Sequence, residues 1–586
     1  MQPVDLTTLN AICAELRSQW LPARLEQVYQ RDAFTVCLAL RTLDQRGWLT
    51  ISWHPQAARL CIEPPPPRSP DTFTFSQQLR HQIGNLALVG IDAIAPWERV
   101  LDLQFGQRPG DPPIWHLYAE IQGKYSNLIL TDRDNQIVTA AHQVNLQQSS
   151  VRPILTGQPY EPPPRLTTPI PSLQEPKEQW QERISLIDAP LKKNLMKTYR
   201  GLSSALVLAM LRQAQLDPEQ TTSSLTSDAW ERLYDTWQIW LTQLEKETFH
   251  PGFTPSGYTV LGWEVSEPAE SVQTVVRHYY QEQLNRQEFS QLRHQLLQKV
   301  SNVLQKLKIK ADGFTSRLAQ SDQADTYRMQ ADLLMAHLHT WQVGQQVINL
   351  PDFETGEPIE IALAPTKTAV QNAQTLYKQH QKLRRARGAI EPLLAEVVEE
   401  TQYLQQVEAA LQELSEYQDP EDLQALKEIR EELVQQNYLE DPAYRSREQR
   451  DRSESQPYRY ASPNGLEVWV GRNNRQNDQL TFRTANDYDI WLHTQEIPGS
   501  HVLLRLPPGQ TPDHEDLQFA ANLAAFHSRA RDSEQVPVVY TKPKNVYKPK
   551  GAKPGMTIYK QETVIWAQPG HFRQKPPIHL ESLSKT

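Results

Sequence analysis

Short alternations of apolar and polar residues, typical of β-strands, recur through the first 170 positions of the chain. They are rich in β-branched and aromatic residues, which suit the pleated surface of a sheet. The prolines at 64–67 cannot join a sheet ladder and mark an exposed connection. We therefore predict an α+β domain over residues 1–170. The predicted strands begin at Phe34, Trp48, Arg59, Trp115 and Asn127.

The spacing of apolar residues becomes helical over 171–268. One helix is predicted from Leu191 and a second from Ala205, with Gly201 suited to end the first and Ser203 to cap the second. Two helices joined by such a turn form a helix-hairpin-helix domain, and the N-terminus of the second helix can hold a phosphate. An ordinary helical hairpin is the alternative.

The longest helical pattern lies in residues 269–445. Two helices, over about 271–345 and 367–437, are predicted from apolar residues that repeat every three or four positions, which is the spacing of a coiled coil. A small β element is predicted between them, at about 346–366. We expect a long antiparallel coiled-coil arm, with Pro392 starting or kinking a helical segment because proline disrupts a helix interior. The repeating residues are Phe289, Leu292, Leu296, Val300, Val303 and Leu307, then Ile390, Leu394, Val397, Leu404, Val407, Leu411 and Leu414.

A small α+β domain is predicted over residues 446–575, followed by a tail at 576–586. The charged, apolar-poor segment 438–456 predicts a linker. The strands of this domain are expected near Glu467, Gln479, Ile490, Ser500 and Val536, with a helix over about 517–531.

Composition limits the class of protein. The chain has 586 residues and a formal charge of −9, and its length favours about three to five domains. All three cysteines lie within the first 61 residues without a C-x-x-C pair, which excludes a disulfide scaffold and a cysteine-based zinc site. Because there is no signal-peptide pattern and no apolar run long enough to span a bilayer, we expect a cytoplasmic protein with no membrane partner.

The common motifs of catalysis are absent. The sequence lacks H-E-x-x-H, the P-loop pattern, the dinucleotide fingerprint and the G-x-S-x-G elbow. His493 and His501 flank a turn and could approach a common ligand, although structural roles in a hairpin are the alternative. We expect that the chain is not an enzyme and that it requires no cofactor or metal.

Charge is distributed unevenly. Residues 457–586 carry 16 basic and 12 acidic residues, so the net negative charge lies in the preceding part of the chain. Residues 541–560 contain six lysines and no acid, interleaved with proline, glycine and Tyr547. This pattern is typical of a segment that binds a phosphate backbone. A solubilising lysine loop is the alternative.

Several motifs along almost the whole chain resemble one family. The C-terminal motifs are Gly471-Arg-Asn-Asn-Arg-Gln-Asn-Asp, Asp489-Ile-Trp-Leu-His, Ile497-Pro-Gly-Ser-His-Val and Val546-Tyr-Lys-Pro-Lys-Gly-Ala-Lys-Pro-Gly-Met. The N-terminal motifs are Glu120-Ile-Gln-Gly-Lys-Tyr-Ser-Asn, Arg152-Pro-Ile-Leu-Thr-Gly-Gln-Pro-Tyr and Tyr199-Arg-Gly-Leu-Ser. On these residues the chain resembles the NFACT family of ribosome-associated quality-control proteins, which includes the RqcH and NEMF-like proteins. Bacterial members of this family also carry the label fibronectin-binding protein A.

The resemblance implies a fold and a function. It implies a multidomain α+β chain with a glycosylase-like N-terminal domain, a helix-hairpin-helix domain, a coiled-coil arm and a small α+β domain of the NFACT-R type. Such a factor would bind a stalled large ribosomal subunit that carries peptidyl-tRNA and would recruit alanyl-tRNA. Untemplated C-terminal alanine tails would then mark the nascent chain for degradation, with peptide-bond chemistry left to the ribosome. We expect a monomer on the ribosome, in contact with rRNA.

The resemblance also assigns site residues. Glu98 and Arg99 align with a tRNA-contacting Asp-Arg pair of the family, although an exposed ion pair is the alternative. Glu120, Ile121 and Lys124 match a second tRNA-binding stretch, in which Lys124 replaces the more usual arginine and loses its bidentate fork. The residues expected to bind RNA or the ribosome are Arg472, Asn473, Asn474, Arg475, His493, His501, Lys542, Lys544, Lys548, Lys550 and Lys553.

Two other functions compete with this interpretation. A cell-surface fibronectin-binding adhesin is suggested by the second family label, but the missing signal peptide and the cysteine pattern speak against it. A repair glycosylase is suggested by the implied N-terminal fold. Such an enzyme needs a proline directly after Met1, whereas here Gln2 precedes Pro3.

Overall fold

The structure, a computed structural model, describes residues 1–67, 70–149, 151–164, 167–440 and 455–574. The chain divides into two compact units, Met1–Leu284 and Asn285–Thr586. The predicted tail and most of the predicted linker lie outside the described residues. The α-helices are α1 Leu6–Trp20, α2 Thr74–Ile83, α3 Lys177–Ser185, α4 Leu191–Thr198, α5 Ser204–Gln213, α6 Ser227–Glu245, α7 Val272–Ser321, α8 Ala324–Ala336, α9 Ala369–Glu413, α10 Pro420–Gln435, α11 Asn474–Gln479, α12 His514–Phe526 and α13 His571–Gln574. The strands are β1 Ala23–Asp32, β2 Thr35–Arg41, β3 Arg46–Ser52, β4 Arg59–Glu63, β5 Ala87–Ala93, β6 Val100–Gly106, β7 Trp115–Glu120, β8 Asn127–Asp132, β9 Ile137–Ala140, β10 Gly252–Thr254, β11 Gly257–Thr259, β12 Glu267–Pro268, β13 Val347–Pro351, β14 Pro358–Ala362, β15 Tyr458–Ala461, β16 Glu467–Val470, β17 Ile490–Thr494, β18 Val502–Leu504, β19 Val536–Thr541, β20 Val546–Tyr547, β21 Ile558–Tyr559 and β22 Thr563–Ala567.

A nine-stranded antiparallel sheet, in the order β4-β3-β2-β1-β5-β6-β7-β8-β9, dominates the first unit. The five strands predicted in this region are present as β2, β3, β4, β7 and β8. Helix α1 begins where the Asp5 carboxylate accepts a hydrogen bond from Thr8 N at 2.9 Å. Its apolar face shares one buried core with the sheet and with helices α3–α6.

The predicted helical hairpin is formed by α4 and α5. Gly201 adopts φ +82° in the turn, and the Ser203 hydroxyl caps α5 by accepting a hydrogen bond from Leu206 N at 3.0 Å. The same hydroxyl donates to the Asp5 carboxylate at 2.5 Å. A carboxylate of the protein itself therefore lies at the start of α5, which favours the ordinary hairpin over a phosphate site.

Long helices of the second unit run antiparallel. Arg293 Nε, early in α7, donates to Leu411 O, late in α9, at 3.0 Å. Arg387, earlier in α9, pairs at 3.0 Å with Asp322, directly after α7, so the two helices have opposite directions. Apolar residues at the predicted three-and-four spacing pack between these helices. The small predicted β element is an antiparallel hairpin of β13 and β14.

Each of the two predicted long helices is interrupted. The first divides into α7 and α8 and ends at Ala336, and the second ends at Glu413 before α10 begins. Asp419 caps α10 and Pro420 occupies its first turn, where no backbone N–H is needed. Pro392, expected to start or kink a segment, lies inside α9. It is exposed, as is Gly388, so water can satisfy the carbonyl that proline leaves unpaired.

The C-terminal part of the second unit is a six-stranded sheet in the order β15-β16-β18-β17-β19-β22, and α12 packs against one face of it. The predicted strand at Gln479 is wrong. This segment ends α11 and continues as a π-helical turn over Leu480–Thr484. The Asn473 side chain sets the helical start by accepting a hydrogen bond from Gln476 N at 3.0 Å, a local signal that outweighs a short apolar alternation.

Candidate nucleic-acid interfaces

Two predicted tRNA-binding stretches meet at one end of the nine-stranded sheet. Val100 at the start of β6 pairs with Glu120 at the end of β7. One residue further, Ile121 N donates to Arg99 O at 2.9 Å. Stretches that are separate in the sequence are thus joined by their backbones, and we call this place the strand-end site.

Glu98 is held by the turn of the helical hairpin. Its carboxylate lies 3.5 Å from Arg200 Nη1, and both side chains are mostly buried. Gly201 packs against Trp97 so closely that an added Cβ would meet the indole at 2.5 Å. The turn therefore fixes the orientation of the acid, and Arg200 is a site residue that was not predicted from the sequence.

Cations of the strand-end site face solvent. Arg99 is half-buried, and within the part of the chain that the structure describes its side chain makes no hydrogen bond or ion pair. Lys124 lies in the 3-10 turn Gly123–Tyr125, with Nζ 4.9 Å from the ring centroid of Tyr125. The Tyr125 ring is 70% exposed. An exposed ring next to a lysine can stack on a base while the ammonium group holds a phosphate.

Glu120 and Ile121 are buried, with 1% and 2% of their surface exposed. Arg152 Nη1 donates to the Glu120 carboxylate at 3.0 Å, and the Tyr160 hydroxyl donates to it at 2.9 Å. Burial, reinforced by this carboxylate, raises the pKa of Tyr160. In the structure these two residues lie inside the strand end and hold it together, and their contact with tRNA stays a prediction.

The Arg-Asn-Asn-Arg motif of the C-terminal domain is also turned inward. Each of its side chains meets an acid of α10. The contacts are Arg472 with Asp422 at 2.7 Å, Asn473 with Glu428 at 2.6 Å, Asn474 with Glu432 at 3.0 Å and Arg475 with Glu431 at 3.3 Å. The first three motif residues are almost completely buried. The structure gives them an internal role, since they attach the domain to α10, and their binding of RNA stays a prediction.

His493 and His501, which flank a turn in the sequence, lie next to each other in the structure. Their ring centroids are 5.4 Å apart. His501 Nδ1 lies 2.7 Å from the Thr481 hydroxyl, and His493 Nε2 lies 3.3 Å from Gly499 O. Burial lowers their pKa values to about 4 for His493 and about 3 for His501, so both are neutral at physiological pH. His501 is buried and His493 is half-buried, and their contact with RNA stays a prediction.

The predicted lysines separate into two groups. Lys542, Lys544 and Lys550 are exposed, and their ammonium groups make no hydrogen bond or ion pair within the described ranges. Lys548 pairs with Asp478 instead. Lys553 donates to the Tyr438 hydroxyl and lies 4.6 Å from the ring centroid of Tyr403. Because burial lowers the pKa of Lys553, its surroundings are those of a packed group. Lys542, Lys544 and Lys550 together are called the lysine surface.

Among the residues that the structure describes, no helix is long and apolar enough to cross a bilayer. The same residues contain no group of three or more His, Cys, Asp or Glu side chains placed to hold a metal ion.

A large antiparallel sheet, paired long helices and a small sheet domain with three exposed lysines define a multidomain α+β protein. The model of the NFACT N-terminal and middle domains matches residues 5–452, and that of the NFACT protein RNA binding domain matches residues 456–561. The protein therefore belongs to the NFACT family.

Curated relatives match almost from end to end. The Rqc2 homolog RqcH of Bacillus subtilis (strain 168) is 30% identical over 579 residues, which covers 95% of this chain and 96% of that protein. The Rqc2 homolog RqcH of Streptococcus suis (strain 05ZYH33) is 29% identical over 572 residues, covering 96% and 97%. Among solved structures, the C-terminal part of the fibronectin/fibrinogen-binding protein from Streptococcus suis is 30% identical, with a TM-score of 0.37, and covers 48% of this chain and 95% of that one.

Proposed function

We propose that the protein is a ribosome quality-control factor that binds stalled large ribosomal subunits carrying peptidyl-tRNA. In this proposal it recruits alanyl-tRNA and promotes untemplated C-terminal alanine tails that mark the nascent polypeptide for degradation. Its membership of the NFACT family and the end-to-end match to proteins named Rqc2 homolog RqcH support this proposal. The RNA-binding domain model over residues 456–561 supports the contact with RNA.

The observation that carries the tRNA part is the Arg99 guanidinium, which makes no hydrogen bond or ion pair within the described ranges and belongs to a stretch joined to that of Lys124. A hydrogen bond from Ile121 N to Arg99 O ties their two stretches together. A guanidinium without an internal partner can give its whole fork to a phosphate or a base edge. We assign phosphate contacts to Arg99 and Lys124, base stacking to Tyr125, and to Glu98 a hydrogen-bond acceptor held by Arg200.

The lysine surface is assigned to the ribosome. Three exposed ammonium groups without acidic partners in the described ranges attract an RNA backbone and release its counterions on contact. Binding there requires no reactive group, and we propose that the protein acts without catalytic residues of its own and in the cytoplasm, with peptide-bond formation left to the ribosome.

A double variant tests the tRNA assignment. Glu98→Ala with Arg99→Ala should lower the tRNA that co-purifies with the tagged protein by about tenfold, because a charge-assisted contact is lost, while co-sedimentation with large subunits persists. Arg133→Ala, which removes an exposed arginine of the same unit, is the matched control and should change neither quantity. Unchanged tRNA recovery with the double variant would overturn the assignment.

The tailing step needs a separate measurement. Mass spectrometry of the C-termini of stalled nascent polypeptides should find untemplated alanines with the unmodified protein and few with the double variant. If tails are absent although tRNA and subunits bind, the factor works without tailing. If no RNA co-purifies and protease added to intact cells cleaves the protein, the adhesin alternative replaces the proposal.

A further inference from the structure

Residues 548–555, which we call the lysine loop, are closed at both ends by one carboxylate. Asp478 of α11 pairs through Oδ2 with the Lys548 ammonium. Its other oxygen, Oδ1, accepts a hydrogen bond from Gly555 N at 3.1 Å. A single side chain therefore binds the first and the last residue of the loop.

Close packing at Gly555 fixes the path of the backbone. This residue adopts φ +77°, and an added Cβ would meet Asn474 Oδ1 at 2.5 Å. Only glycine permits both this backbone conformation and this approach. Asn474 cannot easily retreat, because it is buried and donates to Glu432 at 3.0 Å.

Lys553 supplies another anchor inside the loop. Its ammonium donates to the Tyr438 hydroxyl and lies 4.6 Å from the ring centroid of Tyr403 and 4.8 Å from that of Tyr438. With Lys548, Lys553 and Gly555 all anchored, Lys550 is the lysine of the loop that remains exposed and without a partner in the described ranges.

We propose that Asp478 is a positioning residue for RNA binding: it closes the lysine loop so that Lys550 is held in a fixed place beside the RNA backbone, together with Lys542 and Lys544. This inference rests on the proposed contact of the lysine surface with ribosomal RNA. A closed loop has little freedom left to lose on binding, whereas an open loop would have to be ordered against its conformational entropy.

The direction in which one substitution changes RNA binding distinguishes a positioning role from a purely electrostatic one. Asp478→Asn removes a negative charge from a basic surface, so electrostatics alone would strengthen RNA binding. If the carboxylate positions the loop, the same change removes the ion pair that holds Lys548 and weakens binding, although the amide oxygen can still accept a hydrogen bond from Gly555 N. Asp487 is an exposed acid of the same domain without a partner among the described residues, and Asp487→Asn is the matched control for charge.

The experiment measures association of the full-length protein with purified large ribosomal subunits over a series of salt concentrations. We expect Asp478→Asn to weaken binding about fivefold and to flatten the salt dependence, since fewer phosphates are engaged at once. Asp487→Asn should leave binding unchanged or slightly stronger. Gly555→Ala, which changes no charge but displaces the loop from Asn474, should weaken binding in the same way and carries the test if Asp478→Asn fails to fold.

The triple variant Lys542→Ala, Lys544→Ala and Lys550→Ala separates the RNA contact from the positioning role. It should weaken binding and reduce the slope of log K against log salt by about 2–3. If it binds like the unmodified protein, or if the unmodified protein does not bind subunits, the proposed contact of the lysine surface is wrong. If the triple variant weakens binding while Asp478→Asn and Gly555→Ala do not, the proposed RNA contact of the lysine surface is supported and the positioning role of Asp478 is overturned.

Discussion

The strand-end site and the lysine surface both present cations on a supported backbone, but different structures supply the support. At the strand end, paired β-strands place Arg99 and Lys124, and the buried Glu120 network supports them. At the lysine surface the support is a loop clamped to helix α11. In both, polar residues of the motifs are turned inward and neighbouring cations face solvent. Polar residues of a sequence motif can therefore pack inside the protein and support an exposed surface from below.

The largest effect is expected from breaking an ion pair in which both side chains are almost fully buried. Arg472→Ala leaves the Asp422 carboxylate, 2.7 Å from Arg472 and almost fully buried, without its partner. Loss of one partner from a buried pair costs about 3–5 kcal/mol. Urea unfolding should show this loss, and the partly exposed pair of Arg475 with Glu431 provides the control, Arg475→Ala, with a much smaller effect. Equal losses would refute the difference between buried and surface members of the motif.

Replacing the buried acid of the strand-end site should destabilise the protein somewhat less. Glu120→Ala removes the acceptor of Arg152 and Tyr160, but part of the Arg152 side chain remains exposed and can find water. We expect a destabilisation of about 2–4 kcal/mol, measured by urea unfolding. Recovery of tRNA at a temperature where the variant is folded should be nearly unchanged. A loss of tRNA binding without any loss of stability would instead indicate that Glu120 contacts tRNA directly.

A buried acid of α10, Glu432, should make the stability of the protein depend on pH. Burial raises the pKa of Glu432 to about 7, although Asn474 and the Tyr403 hydroxyl donate to its carboxylate. Because the folded-state pKa lies above the unfolded value, the stability associated with the protonated acid is complete below about pH 4.5 and is lost as the pH rises through 7.

Glu432→Gln mimics the protonated form, so the variant should be more stable than the unmodified protein by about 3 kcal/mol at pH 8. At about pH 4, below the unfolded-state pKa, the difference should nearly vanish. Thermal unfolding across this range measures it, with Glu396→Gln at an exposed position of α9 as the control. A difference independent of pH would mean that Glu432 is charged in the folded protein at pH 8 without penalty.

How far these sites can be predicted from the sequence depends on the kind of signal. Strands such as β2 and β7, and the helix cap at Ser203, follow from local patterns and are confirmed. The inward turn of the Arg-Asn-Asn-Arg motif could not be predicted, because it depends on acids of α10 some fifty residues earlier. A local pattern shows that a residue is polar, but only tertiary packing decides whether its partner is water, RNA or another side chain.

The position of Asp478 could not be predicted for the same reason. It stands at the end of a motif that resembles an RNA-binding sequence, and the residues it binds lie 70 and 77 positions later. The glycine at 555 carried the only local signal, since glycine favours the left-handed backbone that this turn needs. The glycosylase-like fold of the N-terminal domain stays a prediction.

The smallest effects on stability should come from single cations that face solvent, and these variants discriminate best between the two sites. Arg99→Ala and Lys550→Ala each remove a side chain without an internal partner in the described ranges, so each should change the free energy of unfolding by less than about 0.5 kcal/mol. Arg99→Ala should lower tRNA recovery by about threefold and leave subunit binding alone. Lys550→Ala should do the reverse and reduce the salt slope of subunit binding by about 1.

This crossed pattern is what two separate interfaces require, because a cation that binds RNA only through its own phosphate contact cannot affect a contact made elsewhere. Lys560→Ala is the matched control for Lys550, since Lys560 lies over the Tyr547 ring at 5.7 Å and is not assigned to the lysine surface. If Arg99→Ala and Lys550→Ala instead weakened both tRNA recovery and subunit binding to the same extent, the two sites would act as one continuous interface. The division between a sheet-built tRNA site and a loop-built ribosome site would then be wrong.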